Sequence, residues 1–293
     1  MEIIRTISWM KETVQRARAE NHLIGFIPTM GALHEGHLSL IRRARKDCSR
    51  VYVSIFLNPT QFGPNEDLSK YPRTFDADVE KLTAAGADVL FAPDSKEIYP
   101  AGFRTYANVE GLSEKLEGKS RPGHFRGVAT VVLKLFEIVQ PQFAFLGRKD
   151  AQQVRILQQM TRDLNLNVEI VVCPIVREPD GLAFSSRNTY LAPEERHAAT
   201  ALYRALDEAR RAVDAGARDV AQIRASILKF LSGEAMARVD YAEIVDAETF
   251  EPVARIGARS VYILLAVYFG KTRLVDNLLS EPAPGQDRLL STL

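Results

Sequence analysis

Short apolar runs that end in turn residues alternate with amphipathic stretches through roughly the first 175 residues, and few folds accept that alternation. His22 to Pro28 reads as a buried strand stopped by its proline. Gly36 to Cys48 reads as a helix, with Leu38, Ile41 and Arg45 at helical spacing, and Val51 to Leu57 as the next strand. Thr74 to Ala85 reads as a helix: Thr74 suits its N-cap, Asp76 and Asp78 suit its positive end, and Gly86 suits its stop. A strand over Ala87 to Ala92, a helix over Phe125 to Val139, a strand over Phe143 to Leu146, a helix over Asp150 to Leu164 and a strand over Val168 to Cys173 follow. Strand–helix–strand repetition implies an α/β parallel sheet with helices on both faces. Right-handed crossovers gather the loops after the strands at one sheet edge, where ligands bind.

The pattern changes after Cys173. Pro193 to about Ala215 reads as one long helix with Pro193 in its first turn, and Val220 to Leu231 as a second. Strand-like runs follow at Val239 to Val245, Val261 to Phe269 and Arg273 to Val275. The expected organisation is therefore an α/β domain over 1–175 and a smaller α+β domain over 176–293, with a loose tail from Glu281, where Pro282, Pro284 and Gly285 cluster. A length of 293 residues agrees with two domains of about 150 each.

Charge and cysteine usage narrow the function classes. Lys and Arg number 38 against 37 Asp and Glu, so there is no global positive excess to grip a nucleic acid or an anionic membrane. The two cysteines, Cys48 and Cys173, form neither a CxxC pair nor a disulfide framework. The longest apolar run, about Val261 to Phe269, falls far short of the ~20 residues that span a bilayer, and Met1 to Thr6 does not read as a signal peptide. The expectation is a cytoplasmic protein with no nucleic-acid or membrane partner.

Four loop segments carry chemistry. Pro28 to His37 joins the first strand to the first helix, the favoured place for a phosphate-binding turn. It misses three common motifs. The spacing of Gly31 and Gly36 does not make G-x-G-x-x-G; His37-Leu38 stands where a Walker A needs Lys-Ser/Thr; Leu38 stands where a zincin needs its second histidine. What remains is His34-x-Gly36-His37 opening a helix, two imidazoles on one side beside free backbone N–H groups. By itself such a pair reads as a partly exposed turn pair before it reads as a phosphate site, and for a metal site no nearby Cys or acidic cluster completes a ligand set. Asn58 and Gln61 lie in the Pro/Gly turn after the second strand, and either present amides to a substrate or merely shape the turn. In Gly147-Arg148-Lys149-Asp150-Ala151-Gln152-Gln153, Lys149 suits a phosphate and Asp150 suits a helix N-cap. Phe184-Ser185-Ser186-Arg187-Asn188 suits either a triphosphate clamp or a polar linker.

Taken together, these segments are far more specific. The His-x-Gly-His turn followed about 150 residues later by Ser-Ser-Arg resembles the nucleotidyl-transferring enzymes with HIGH and KMSKS signatures, whose sheet is Rossmann-like. Pro28 to His37, Asn58 to Phe62, Arg121 to Val128, Gly147-x-Lys149-Asp150 and Ser185 to Asn188 together resemble the pantoate–β-alanine ligase family, from about residue 22 to 192 and more loosely to about 280.

That resemblance implies an ATP-dependent, AMP-forming ligase that activates pantoate as pantoyl adenylate and then transfers it to β-alanine. It implies that Met30, Gly31, His34, His37, Gly147, Lys149, Asp150, Val176, Phe184, Ser185, Ser186 and Arg187 bind ATP. His34, His37 and Lys149 would be catalytic, with His37 as an acid. Gln61 and Gln153 would hold pantoate, and Asn58 and Gln61 would face β-alanine. Mg2+ would bridge the phosphates, with Asp78 as the protein ligand, and the chain would form a homodimer. Phe184 replaces the family's usual Met, and Ala77 interrupts its acidic run beside Asp76. Two rival readings share parts of the pattern: a nucleotidyltransferase that builds a dinucleotide cofactor, and a non-catalytic nucleotide-binding module.

Overall fold

A computed structural model of the chain describes residues 1–64 and 66–281. The loose tail expected from 281 therefore lies, beyond its first residue, outside the described residues. The chain divides into two compact units, Met1–Val176 and a second beginning at Arg177.

The first unit runs β1 (Glu2–Ile4), α1 (Ile7–Ala19), β2 (Ile24–Thr29), α2 (Glu35–Asp47), β3 (Arg50–Ile55), α3 (Phe75–Ala85), β4 (Val89–Phe91), α4 (Ser95–Ile98), α5 (Glu117–Ser120), α6 (His124–Val139), β5 (Phe143–Gly147), α7 (Ala151–Asp163) and β6 (Glu169–Cys173). The six strands form one parallel sheet in the order β1-β4-β3-β2-β5-β6. Alternate residues enter opposite cores. Ile24, Phe26, Phe91 and Leu146 meet α1, α6 and α7 on one face, while Ile27, Val53, Leu90 and Phe145 meet α2 and α3 on the other. The order reverses between β2 and β5, so the loops after these two strands open at the switch point where such sheets bind ligands.

Two local expectations change. Pro28 does not stop β2; it pairs with Ser54 of β3 and the strand continues to Thr29. It lies in phase with Ile24, whose carbonyl accepts from Gln142 on the β5 side, and the β5 pairing has already ended at Phe26, so its missing N–H costs no ladder bond. Thr74 precedes α3 but makes no side-chain cap; its hydroxyl donates to Asp78 instead (3.1 Å). Gly86 ends α3 with φ 85°, as expected. Two elements precede the expected first strand, β1 and α1. Met10, Val14 and Ala17 give α1 its buried stripe, and the Thr6 hydroxyl accepts from Trp9 N–H at its start.

The second unit holds α8 (Pro193–Ala198), α9 (Ala201–Asp214), α10 (Val220–Ser232), β7 (Ala237–Asp246), β8 (Val261–Phe269) and β9 (Thr272–Ser280). Its strands form an antiparallel sheet, β7-β8-β9. Leu202, Leu206, Ile223 and Ile227 from the helices pack with Ile263, Leu265 and Val267 from β8. The single long helix expected from Pro193 is two helices. Both the N–H and the hydroxyl of Thr200 donate to the carbonyl of His197 (3.2 and 2.8 Å), which tightens the chain where the helix breaks.

Candidate active site

The turn after β2 is built from main-chain groups. Gly31 and Ala32 both have left-handed φ, 84° and 51°. A Cβ on Gly31 would stand 3.3 Å from Asp78 Oδ2 and 3.2 Å from Ile55 Cγ2, so both space and conformation favour glycine there. The turn delivers His34 to the N-cap of α2 and His37 to its first turn. The two rings lie 4.1 Å apart between centroids, and His34 N–H donates to His37 Nδ1 (3.3 Å). Burial lowers the His37 pKa to about 3, with the neighbouring His34 adding to the effect. His37 is therefore a neutral imidazole at physiological pH. With Nδ1 accepting, its proton sits on Nε2, which leaves a neutral donor rather than a charged acid.

The expected magnesium ligand has a different job. Asp78 is 1% exposed; Oδ1 accepts from Leu33 N–H (2.8 Å), while Oδ2 accepts from Ala32 N–H (2.9 Å) and the Thr74 hydroxyl (3.1 Å). Both oxygens accept from protein donors, and among the described residues no cluster of three His, Cys, Asp or Glu side chains forms a metal-binding set. The donor set does not fit a resident magnesium ion.

Asn58 also departs from expectation. It is 1% exposed, and its amide donates to Gln61 Oε1 (3.0 Å) and Gly127 O (3.1 Å). Its oxygen accepts from the Tyr99 hydroxyl (2.9 Å) and from the Thr60 hydroxyl and N–H (2.9 and 3.3 Å). That exhausts the hydrogen-bonding capacity of an amide, so Asn58 orients Gln61 instead of meeting β-alanine itself. Gln61 Nε2 in turn reaches Met30 Sδ (3.1 Å), which ties the end of β3 to the end of β2. α6 approaches this turn so closely that a Cβ on Gly127 would stand 2.4 Å from Thr60 O.

On the other side of the switch point, β5 ends at Gly147, paired with Cys173. Lys149 follows in a single 3-10 turn, with Nζ 3.5 Å from Asp150 Oδ1. Asp150 precedes α7 but makes no side-chain cap; its carboxylate is turned toward Lys149. Gln153 is half-buried in the first turn of α7, and Val176 is half-buried at the end of the unit. Lys149 and Asp150 both act electrostatically on His37, so the turns after β2 and β5 share one field.

The Ser-Ser-Arg segment belongs to the second unit. Ser185 opens a 3-10 helix, Ser186–Tyr190, and its hydroxyl accepts from Arg187 N–H (3.3 Å). Phe184, Ser186 and Arg187 are half-buried. Asn188 donates to Glu178 (3.0 Å) and Ala183 O (3.1 Å), and Arg196 donates to Glu178 (2.7 Å), which closes the segment into a loop.

A family model described as Pantoate-beta-alanine ligase matches residues 2–279. The chain belongs to the pantoate–β-alanine ligase family. Two pantothenate synthetases are each 53% identical to it: one from Acetivibrio thermocellus over 281 residues (96% of this chain, 100% of the relative), and one from Thermotoga petrophila over 279 (95% and 99%). The crystal structure of the Thermus thermophilus enzyme is similar at TM-score 0.91 and 45% identity, over 96% of this chain and 100% of that one. A Francisella tularensis pantoate-β-alanine ligase, complexed with beta-gamma ATP and β-alanine, is similar at TM-score 0.77 and 38% identity, over 95% and 97%. The chain is therefore an enzyme that joins pantoate to β-alanine.

Within this ligase a second polar chain supports Gln61. Glu66 holds Arg121 through two bonds (3.0 and 2.5 Å), Arg121 meets His124 Nε2 (3.0 Å), and His124 Nδ1 meets Gln61 O (2.9 Å). Burial, with Arg121 alongside, lowers the His124 pKa to about 4, so this ring is also neutral. The Arg121 to Val128 motif was visible in the sequence without a role; a histidine heading an apolar helix was its signal. Lys81, whose Nζ donates to Leu33 O (2.7 Å), gave no such signal. Among the described residues, no helix is long and apolar enough to cross a membrane.

Proposed function

We propose that this ligase works in two steps at the β2/β5 switch point. A pantoate carboxylate oxygen attacks the α-phosphorus of ATP; the bond from that phosphorus to the β-bridging oxygen breaks, and pyrophosphate leaves. The neutral amine of β-alanine then attacks the acyl carbon of pantoyl adenylate; the acyl–oxygen bond breaks, AMP leaves, and the amine loses a proton. The observation that carries this reading is the shared field of the two turns: the neutral His37 donor on the first, and Lys149 on the second. Gathering anions at one phosphorus calls for donors and positive charge more than for a nucleophilic side chain.

In this reading Met30, Gly31, His34, His37, Gly147, Lys149, Asp150 and Val176 line ATP, and His37 donates from Nε2. Phe184, Ser185, Ser186 and Arg187 are assigned to ATP by family resemblance. Gln61 and Gln153 take pantoate, and Gln61 also faces β-alanine. Magnesium enters as the counter-ion of ATP, consistent with its habit of keeping waters and substrate phosphates as ligands. The protein is proposed to be a cytoplasmic homodimer without nucleic-acid or membrane partners; its two cysteines are free and buried.

The test omits ATP, pantoate and β-alanine in turn. Pyrophosphate exchange that needs pantoate, with AMP released only when β-alanine is added, supports the reading. Exchange driven by a nucleoside monophosphate favours a dinucleotide-forming transferase instead. ATP binding with no AMP formed favours a non-catalytic module. Sedimentation velocity tests the dimer.

A further inference from the structure

We propose that Asp78 and Lys81 of α3 are positioning residues that hold the β2–α2 turn in its ATP-receiving shape; this rests on the reading of that turn as the ATP site. The turn is costly in isolation. Two consecutive residues, Gly31 and Ala32, take left-handed φ, and a non-glycine residue persists there only when its surroundings over-determine it. The surroundings that do so come from α3. The Asp78 carboxylate takes the N–H groups of both Ala32 and Leu33, one on each oxygen (2.9 and 2.8 Å). One turn further along the helix, Lys81 Nζ takes the carbonyl of Leu33 (2.7 Å). Donor and acceptor groups of the turn are thus gripped from one helix face, immediately before His34.

The grip has a chemical consequence. A buried carboxylate accepting two main-chain N–H groups is a strong acceptor that fixes orientation as well as position. It aims those two N–H groups at the protein and leaves His34 and the start of α2 as the ligand-facing part of the segment. Thr74 supplies a third donor to Asp78 (3.1 Å), so both carboxylate oxygens are engaged by protein groups, two donors on Oδ2 and one on Oδ1.

Asp78→Asn keeps the shape but replaces one acceptor oxygen with an NH2 group facing N–H donors. Steady-state kinetics should show the KM for ATP rising roughly ten- to a hundredfold, with the KM for β-alanine changed less than about twofold. Lys81→Met, at a largely exposed residue, should raise the KM for ATP by about three- to tenfold, and Lys81→Arg, which keeps a donor, should restore it. If Asp78→Asn does not fold, the Lys81 pair decides. An unchanged KM for ATP in the folded variants, with only a lower Tm, overturns the proposal in favour of a scaffold role. A raised Mg2+ requirement at saturating ATP in Asp78→Asn, with Lys81→Met silent, overturns it in favour of a metal ligand. His34→Ala separates the two levels: if it leaves ATP affinity unchanged, the ATP reading of the turn fails and the clamp with it. If His34→Ala weakens ATP while the Asp78 and Lys81 variants do not, only the clamp fails.

Discussion

The main-chain N–H of His34 donates to Nδ1 of His37, its neighbour three residues on, and the two rings face each other 4.1 Å apart. The bond consumes the only acceptor nitrogen of a neutral His37 and leaves Nε2–H as its one donor. A proton added to the ring would place charge in a poorly solvated site beside His34 and Lys149, which is why the pKa falls to about 3. Proton NMR should therefore show a His37 ring signal that does not titrate between pH 5 and 8, around the ordinary value near 6.5.

Stability should depend on pH through the same physics. His37 and His124 both have folded pKa values below 6.5, about 3 and about 4, so the unfolded chain binds protons that the folded chain refuses. Their contribution is present above pH 6.5 and is lost as pH falls toward the folded values. Each costs at most about 1.4 kcal/mol per pH unit in that window. Urea midpoints at pH 7 and 4.5 should fall more for the unsubstituted chain than for His124→Asn.

Lys149 is the point charge of the β5 turn. Lys149→Ala should slow single-turnover formation of pantoyl adenylate by about 10²–10³-fold, as when one preorganised donor is lost at a developing anion, while leaving stability nearly unchanged. A near-wild-type rate removes Lys149 from the first step.

Asn58 is a hub rather than a contact. Asn58→Ala removes the partner of Gln61 Oε1 and the side-chain donor to the Gly127 carbonyl, and leaves the Tyr99 hydroxyl with the Thr60 hydroxyl. Each buried group left unpaired costs on the order of 1–3 kcal/mol. The expected result is a lower urea midpoint together with a higher KM for pantoate. A pantoate KM that stays put would detach Asn58 from Gln61.

In the second unit, Arg177 forms a bidentate pair with Asp276 (2.6 and 2.9 Å), whose side chain is 1% exposed, and its guanidinium lies 4.5 Å from the Tyr203 ring centroid. Arg177 also donates to Gly181 O (3.1 Å), bracing the base of the Ser-Ser-Arg loop. Arg177→Met leaves a buried carboxylate without its partner and should destabilise this unit by about 3–5 kcal/mol. Differential scanning calorimetry should show the loss, with the double change Arg177→Met/Asp276→Leu recovering part of it.

The elements most legible from sequence were those with local causes. β8 needed only its continuous apolar run, and α3 ended at Gly86 because only glycine takes φ 85° there without strain. The break at Thr200 was hidden because threonine and alanine are both acceptable inside a helix, and only the bonds to His197 divide the chain. β1 was missed because three residues carry too little periodicity, and their status as a strand comes from pairing with β4.

The site divided along the same line. Residue order by itself determined the turn-then-helix arrangement of His34 and His37 and the family to which the segments point, because these depend on neighbours along the chain. Tertiary structure alone decided what Asp78 and Asn58 do. As residues in a sequence, a carboxylate in the first turn of a helix and an amide after a strand look available to a metal or a substrate. Packing brings Ala32 and Leu33 to Asp78 from 46 and 45 residues away, and Gly127 to Asn58 from 69. A polar side chain serves the partner that burial leaves it, and that partner is chosen by the fold.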